Sequence, residues 1–392
     1  MRRGSQLVYG LARGDTPAGE LHMTLKPRSD APALPDSLPV RRSSGTIFKQ
    51  RTKLPWLDND FQLLSIDGGG IKGILPAAIL AECEKRFTSG QSAGDYFDMI
   101  AGTSTGGIIA LALGIGMKAS DILKLYLDHG KEIFPPRNLS TNSAAAFIQK
   151  WYYLAHDVGH YRYKRAPLKR YLREVFRYQK IGHSDRRLIV PSFDGYTEVH
   201  LFKTPHHPDF KMDWKEDIVD AALATSAAPT YFSVFKKGEQ YFADGGVWAN
   251  NPIMNAVVDI LSCYDIERRQ IHILSLGCGD QEIKFTDKQR GRGGLWHWRS
   301  VISSAMHLQS QNAIGQAGLL IGRDQLLRIN PASILPPIEM DDYARAANEL
   351  PDMAVKLVDQ NVATLRKMFN SKRPAFQAYY GPRAADMPVT VP

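Results

Sequence analysis

The sequence predicts an α/β fold in which a parallel or mixed sheet is covered by helices on both faces. Two observations predict it. Short apolar, β-rich runs alternate along the chain with segments whose apolar residues recur at helical spacing. Two of these runs also break at glycine-containing turns that lead straight into apolar, helix-compatible sequence. With 392 residues and 44% hydrophobic content, the chain can build one large α/β domain with added helices and a substantial core.

The elements follow in order. Residues 1–57 hold ten Lys/Arg against four acids, are rich in Pro, Ser and Gly, and lack periodicity. They are expected to form a basic, largely disordered extension. Such an arm suits anionic membranes or nucleic acid, and a solvated tail fits the same composition. The compact part begins near Trp56. Residues 61–66 read as a strand, 74–87 as a helix and 97–101 as a second strand. Residues 105–117 form a helix so apolar that it must be buried. An amphipathic helix follows at 121–130, with Ser120 as its candidate cap.

Residues 138–187 differ in character, interleaving aromatic and basic side chains around a helix at 167–176. Strands at 188–193 and 198–203 flank a turn at Asp194-Gly195, and 218–227 is a helix of small residues. A run at 240–243 leads into Asp244-Gly245-Gly246, and Asn250-Asn251-Pro252 opens a helix at 253–261. A clear strand lies at 270–276, with helices around 298–320 and 343–368. The expected organisation is an extension at 1–57, a core at 58–280 with a basic-aromatic insertion at about 138–187, and a helical region at 281–392 packed on the core.

Bulk features exclude several classes. No apolar run reaches the roughly 18–20 residues that cross a bilayer. The N-terminus has no hydrophobic signal core, so secretion is not expected. Cys83, Cys263 and Cys278 are odd in number and widely spaced, which points to a reducing compartment and no zinc cluster.

Three motifs carry chemistry. Asp67-Gly68-Gly69-Gly70-Ile71-Lys72-Gly73 follows the first strand, and its glycines let backbone N–H groups approach a developing oxyanion without Cβ interference. The same run fits the dinucleotide fingerprint, which further requires an acid at the end of a second strand about 20 residues on. Residues 88–95 are not strand-like, and Asp98 falls inside the next apolar segment. Gly102-Thr103-Ser104-Thr105-Gly106 sits between strand and apolar helix, as a nucleophile elbow does, although a plain strand-to-helix turn has the same composition. A serine needs a base. His272, His297 and His307 lie late in the chain, yet none occupies a turn motif. Asp244, ahead of two glycines, ends a short strand and is either a base at a tight turn or an ordinary turn residue.

Taken in order, these three motifs resemble those of the patatin-like phospholipase family, as do Thr225-Ser226-Ala227-Ala228-Pro229 and Asn250-Asn251-Pro252. The resemblance spans residues 61–277. It implies a three-layer α/β/α fold with a central, mostly parallel sheet and extra C-terminal helices. It implies a Ser–Asp dyad without histidine: Ser104 as nucleophile, Asp244 as general base, and Gly68, Gly69 and Gly70 as oxyanion hole. Gly73, Gly102, Gly106, Gly245 and Gly246 complete the motifs; many relatives have alanine where this chain has Gly246, a departure that leaves the aspartate undisturbed. No metal or cofactor is required for this chemistry.

A narrower resemblance is to patatin-like effectors of bacterial cyclic-oligonucleotide antiphage systems, carried by Thr204-Pro205-His206-His207-Pro208 with Trp214, and by 247–252. It implies a cyclic dinucleotide activator, membrane phospholipid as substrate, a cytoplasmic protein that meets the inner membrane peripherally when active, and no nucleic acid partner. A homo-oligomer is compatible with it. Tyr161, Arg162, Tyr163, Lys164, Arg165, Lys169 and Arg170 are candidate contacts for a nucleotide, since guanidinium groups pair with phosphates and tyrosines stack on bases. The same residues suit anionic lipid headgroups, or a solvated helix face over core tyrosines. Two rival functions stay open: a constitutive lipase or thioesterase without nucleotide control, and a nucleotide-binding protein with a vestigial hydrolase site.

Overall fold

The computed structural model describes residues 51–58, 60–136, 161–195, 198–279, 301–331 and 336–384. The chain enters through Leu54–Pro55 (β1) and Phe61–Ile66 (β2). All six residues of β2 are buried, and its side chains alternate between two cores: Phe61 and Leu63 face one, Leu64 and Ile66 the other. A strand apolar on both faces must be covered on both, so helices lie on either side of the sheet.

The remaining elements are Ile74–Phe87 (α1), Met99–Gly102 (β3), Thr105–Gly114 (α2), Ala119–Ile133 (α3), Ala166–Phe176 (α4), Arg187–Asp194 (β4), Val199–Lys203 (β5) and Ile218–Thr225 (α5). There follow Phe235–Lys237 (β6), Gln240–Asp244 (β7), Gly246–Ala249 (α6), Ile253–Cys263 (α7), Tyr264–Asp265 (β8) and Ile271–Leu276 (β9). Val301–Ile321 (α8), Leu326–Ile329 (β10), Tyr343–Gln360 (α9) and Val362–Met368 (α10) complete the set. The main sheet runs β10-β9-β2-β3-β4-β7-β6, with β5 also paired to β4. It is parallel from β10 to β4 and antiparallel where β5, β6 and β7 join. β1 pairs with β8 in a separate two-stranded sheet.

One core lies under α1, α2, α3, α5 and α9, the other under α7 and α8. On α9 the buried residues Ala346, Leu350, Ala354 and Val358 recur every fourth position, which makes one stripe that packs on α1. No helix among the described residues is long and apolar enough to cross a membrane.

Several local expectations are corrected. Ser120 does not cap α3; Lys118 is the N-cap residue. Buried Glu84 of α1 caps it from a distance instead, accepting the N–H groups of Ala119 at 2.6 Å and Ser120 at 3.1 Å, and that of Ala93 at 2.8 Å. The helix begun at Thr105 stops at Gly114, because Gly116 turns left-handed at φ +81°. The long C-terminal helix divides at Asn361 into α9 and α10. Strands β6 and β10 were not foreseen; β10 is only four residues long and extends the sheet beside β9.

Candidate active site

Parallel strands β2 and β3 are neighbours, so their following turns emerge side by side at the carboxyl edge of the sheet, where α/β folds place their sites. The turn after β3 packs so closely on the end of β2 that a Cβ on Gly106 would come within 2.4 Å of the Ile66 carbonyl oxygen. Ser104 sits on that turn at φ 55°, ψ −121°, a conformation that costs a side-chain-bearing residue about 1–3 kcal/mol. Its surroundings hold it there. Ser104 N–H donates to Thr225 Oγ1 at 3.0 Å, Thr225 Oγ1 donates to the Pro191 carbonyl at 2.6 Å, and Thr103 Oγ1 donates to the Ala249 carbonyl at 2.6 Å.

Sheet register brings the carboxylate opposite. Ala101 of β3 aligns with Ile189 of β4, and three residues further along β4, Ser192 pairs with Asp244 at the end of antiparallel β7. Ser104, three residues beyond Ala101, therefore reaches the same level as Asp244. Ser104 Oγ donates to Asp244 Oδ2 at 2.6 Å, and Gly246 N–H donates to Asp244 Oδ1 at 2.6 Å. Asp244 is 1% exposed. Burial pushes its carboxyl up to about 7 from an ordinary 3.8, against the opposing hydrogen bonds from Ser104 and Gly246. A carboxyl that ionises near neutrality, bonded to a serine hydroxyl, has the properties of a general base.

The histidines lie elsewhere. His272 faces Asp60 at 3.4 Å on the far end of the sheet, His307 borders a separate polar cavity, and His297 lies outside the described residues.

The glycine loop stands over the serine. Gly68 N–H is committed to the Asn250 carbonyl at 3.0 Å. Gly69 and Gly70 N–H have no backbone partner among the described residues, which leaves those two as donors for an oxyanion. Gly70 is left-handed at φ +61°, and a Cβ there would lie 2.3 Å from the Met340 carbonyl oxygen, so no other residue fits without a shift. The loop is anchored at Asp67. Arg328 on β10 grips its carboxylate with both arms, at 2.9 and 2.7 Å, and Ser310 on α8 donates to it at 2.8 Å. Sequence reasoning missed Arg328, whose only signal was the short β-rich run around it; it also quoted Thr225 without assigning it a role.

Ser104 opens into a groove whose wall is largely apolar and includes Ile71, Ile108, Phe134, Leu168 and Phe232. Gly70 and Thr105 border it beside the serine. This shape suits an acyl chain whose carbonyl carbon rests at Ser104.

The basic-aromatic residues are largely turned to internal partners. Arg162 Nη1 and the Tyr163 hydroxyl both donate to Asp341, at 3.1 and 2.8 Å, and Arg162 stacks on Tyr231. Arg165 donates to the carbonyls of Ser233 and Val234 and lies over Phe235. Arg170 pairs with Glu132 at 2.7 Å and covers Tyr171. Tyr161 and Lys164 are exposed, and Lys169 is half-buried.

Among the described residues, one group could reach a metal ion: His206, Asp259 and Cys263. All three are buried, and His206 Nε2 already bonds Asp259 at 2.8 Å while Lys203 pairs with the same carboxylate. Burial pulls His206 down to about 4. Burial pushes Asp259 upward, but Lys203 and His206 outweigh it and hold the carboxyl below the usual range. These groups form a closed ion-pair network.

The family model described as patatin-like phospholipase matches residues 64–257. The chain is similar to three proteins named cGAMP-activated phospholipase. That of Escherichia coli (strain TW11681) is 36% identical over 254 residues, covering 60% of this chain and 68% of the relative. That of Vibrio cholerae is 36% identical over 258 residues, covering 61% and 71%. That of Pseudomonas aeruginosa is 37% identical over 193 residues, covering 49% and 54%.

Proposed function

The chain belongs to the patatin-like phospholipase family, and from that premise we propose that Ser104 and Asp244 hydrolyse the acyl esters of membrane phospholipids under control of a cyclic dinucleotide. The observation that carries this reading is the 2.6 Å bond from Ser104 Oγ to Asp244 Oδ2 at the mouth of an apolar groove.

An acyl chain enters the groove and sets its ester carbonyl over Ser104. Asp244 takes the hydroxyl proton as Oγ attacks the carbonyl carbon. The new oxyanion lies against the N–H groups of Gly69 and Gly70, with the N-terminal end of α2 adding its positive dipole. Collapse breaks the ester C–O bond; Asp244 returns the proton to the departing alcohol, and an acyl-enzyme remains. Water then gives a proton to Asp244, attacks the acyl carbonyl and releases the fatty acid, and the proton passes to Ser104. The strained φ at Ser104 keeps Oγ raised into the groove throughout.

The nucleotide control is supported by similarity to three proteins named cGAMP-activated phospholipase, and peripheral membrane contact by the chemistry of the substrate. Fatty-acid release from phospholipid micelles, measured with and without cyclic dinucleotides, tests both parts. Release that appears or rises on adding one such nucleotide supports the reading. Equal release under all conditions would instead favour a constitutive acyl hydrolase.

A further inference from the structure

The glycine loop divides two cavities of different chemistry. One is the apolar groove; the other has Asp67, Lys72, Asn250, His307, Ser310 and Asn330 in its wall. Met340 borders both. An ester has two sides, and when the acyl side fills the apolar groove the alcohol side must lie in another direction.

Asn250 brings the polar cavity up to the reacting atoms. Its Oδ1 and Ser104 Cβ flank Gly68, at 2.6 and 3.3 Å from the point where a Cβ on that glycine would sit. The same oxygen is 3.3 Å from the equivalent point on Gly246, two residues after Asp244. Asn250 is 8% exposed, and its Oδ1 has no hydrogen-bond partner among the described residues. A sealed carboxamide oxygen without a donor is costly, and it is accounted for if a ligand supplies that donor. The Asp67 carboxylate in the same wall is held by Arg328 and Ser310, and the cationic Lys72, 6% exposed, also lines it. The wall thus combines a waiting acceptor with a cation.

We propose that this cavity holds the phosphodiester headgroup of the substrate and selects headgroups that carry an N–H or O–H donor, such as ethanolamine or glycerol, over choline. Asn250 accepts the headgroup donor, and Lys72 attracts the phosphodiester. The proposal rests on the phospholipase reading above.

The test compares kcat/KM in mixed detergent micelles for phosphatidylglycerol, phosphatidylethanolamine and phosphatidylcholine with identical acyl chains, alongside a p-nitrophenyl acyl ester, all with cyclic dinucleotide present. Wild-type protein should favour the two donor headgroups over choline by about tenfold or more. Asn250→Ala should bring that ratio to within about twofold. Lys72→Gln should lower all three phospholipids relative to the nitrophenyl ester; it serves alone if Asn250→Ala does not fold, as judged by circular dichroism. A wild type indifferent to headgroup, or folded variants that keep the wild-type ratios, overturns the proposal. A parallel loss on every substrate that more cyclic dinucleotide restores assigns the cavity to the activator and also overturns it. Wild-type protein that cleaves the nitrophenyl ester but no phospholipid refutes the phospholipase reading itself.

Discussion

Asp244→Asn separates the base from its shape. The variant keeps an oxygen to accept Gly246 N–H, but its amide cannot take the Ser104 proton. Losing a positioned base should lower kcat by about 10²–10⁴. The same substitution has a stability signature. The carboxyl ordinarily ionises at 3.8, and burial lifts it to about 7 in the folded protein. Well below pH 4 it is neutral whether folded or unfolded. As pH rises from 4 to 7 the unfolded chain ionises first, so the wild type loses stability through that window and levels off above it. The full ionisation cost approaches ~4 kcal/mol. Asp244→Asn does not bear it, so its stability relative to wild type should climb between pH 4 and 7 by up to that amount. Urea unfolding at steps across pH 4–8, with kcat/KM from the same preparations, reads both effects. Wild-type kcat/KM should rise about tenfold per pH unit until near 7 and then plateau. A variant within tenfold of wild-type activity, or a stability difference flat across that range, would refute the assignment of Asp244 as a buried base.

Two further substitutions probe the glycine loop. Gly70→Ala places a Cβ 2.3 Å from the Met340 carbonyl at a left-handed φ, and should cost about 1–3 kcal/mol by thermal unfolding and reduce kcat by about 10²–10³. Arg328→Gln leaves Asp67 with Ser310 alone and should cost about 2–3 kcal/mol by urea unfolding, discounted because the arginine is partly exposed, with a fall in kcat that Arg328→Lys only partly repairs.

The candidate site motifs were legible because the chemistry they suit constrains residue type locally. Gly70 and Gly106 are glycines where another backbone approaches within a Cβ's reach, and such constraints survive in a short string of letters. The supporting contacts were not legible, because each joins distant parts of the chain. Glu84 caps a helix that begins 35 positions later, and Arg328 grips an aspartate 261 positions earlier. The four-residue run Leu326–Ile329 is too short for periodicity to declare a strand, and its arginine obscures the alternation. The basic-aromatic stretch was visible as composition, but composition could not reveal that Arg162, Arg165 and Arg170 turn to Asp341, to the carbonyls of Ser233 and Val234, and to Glu132.

The most direct test is fatty-acid release from phospholipid micelles by Ser104→Ala, in the cyclic dinucleotide condition that gives the wild type its highest rate. The account predicts release at the level of buffer alone, with a circular dichroism spectrum matching wild type. Sustained release by that folded variant would show that another group performs the attack.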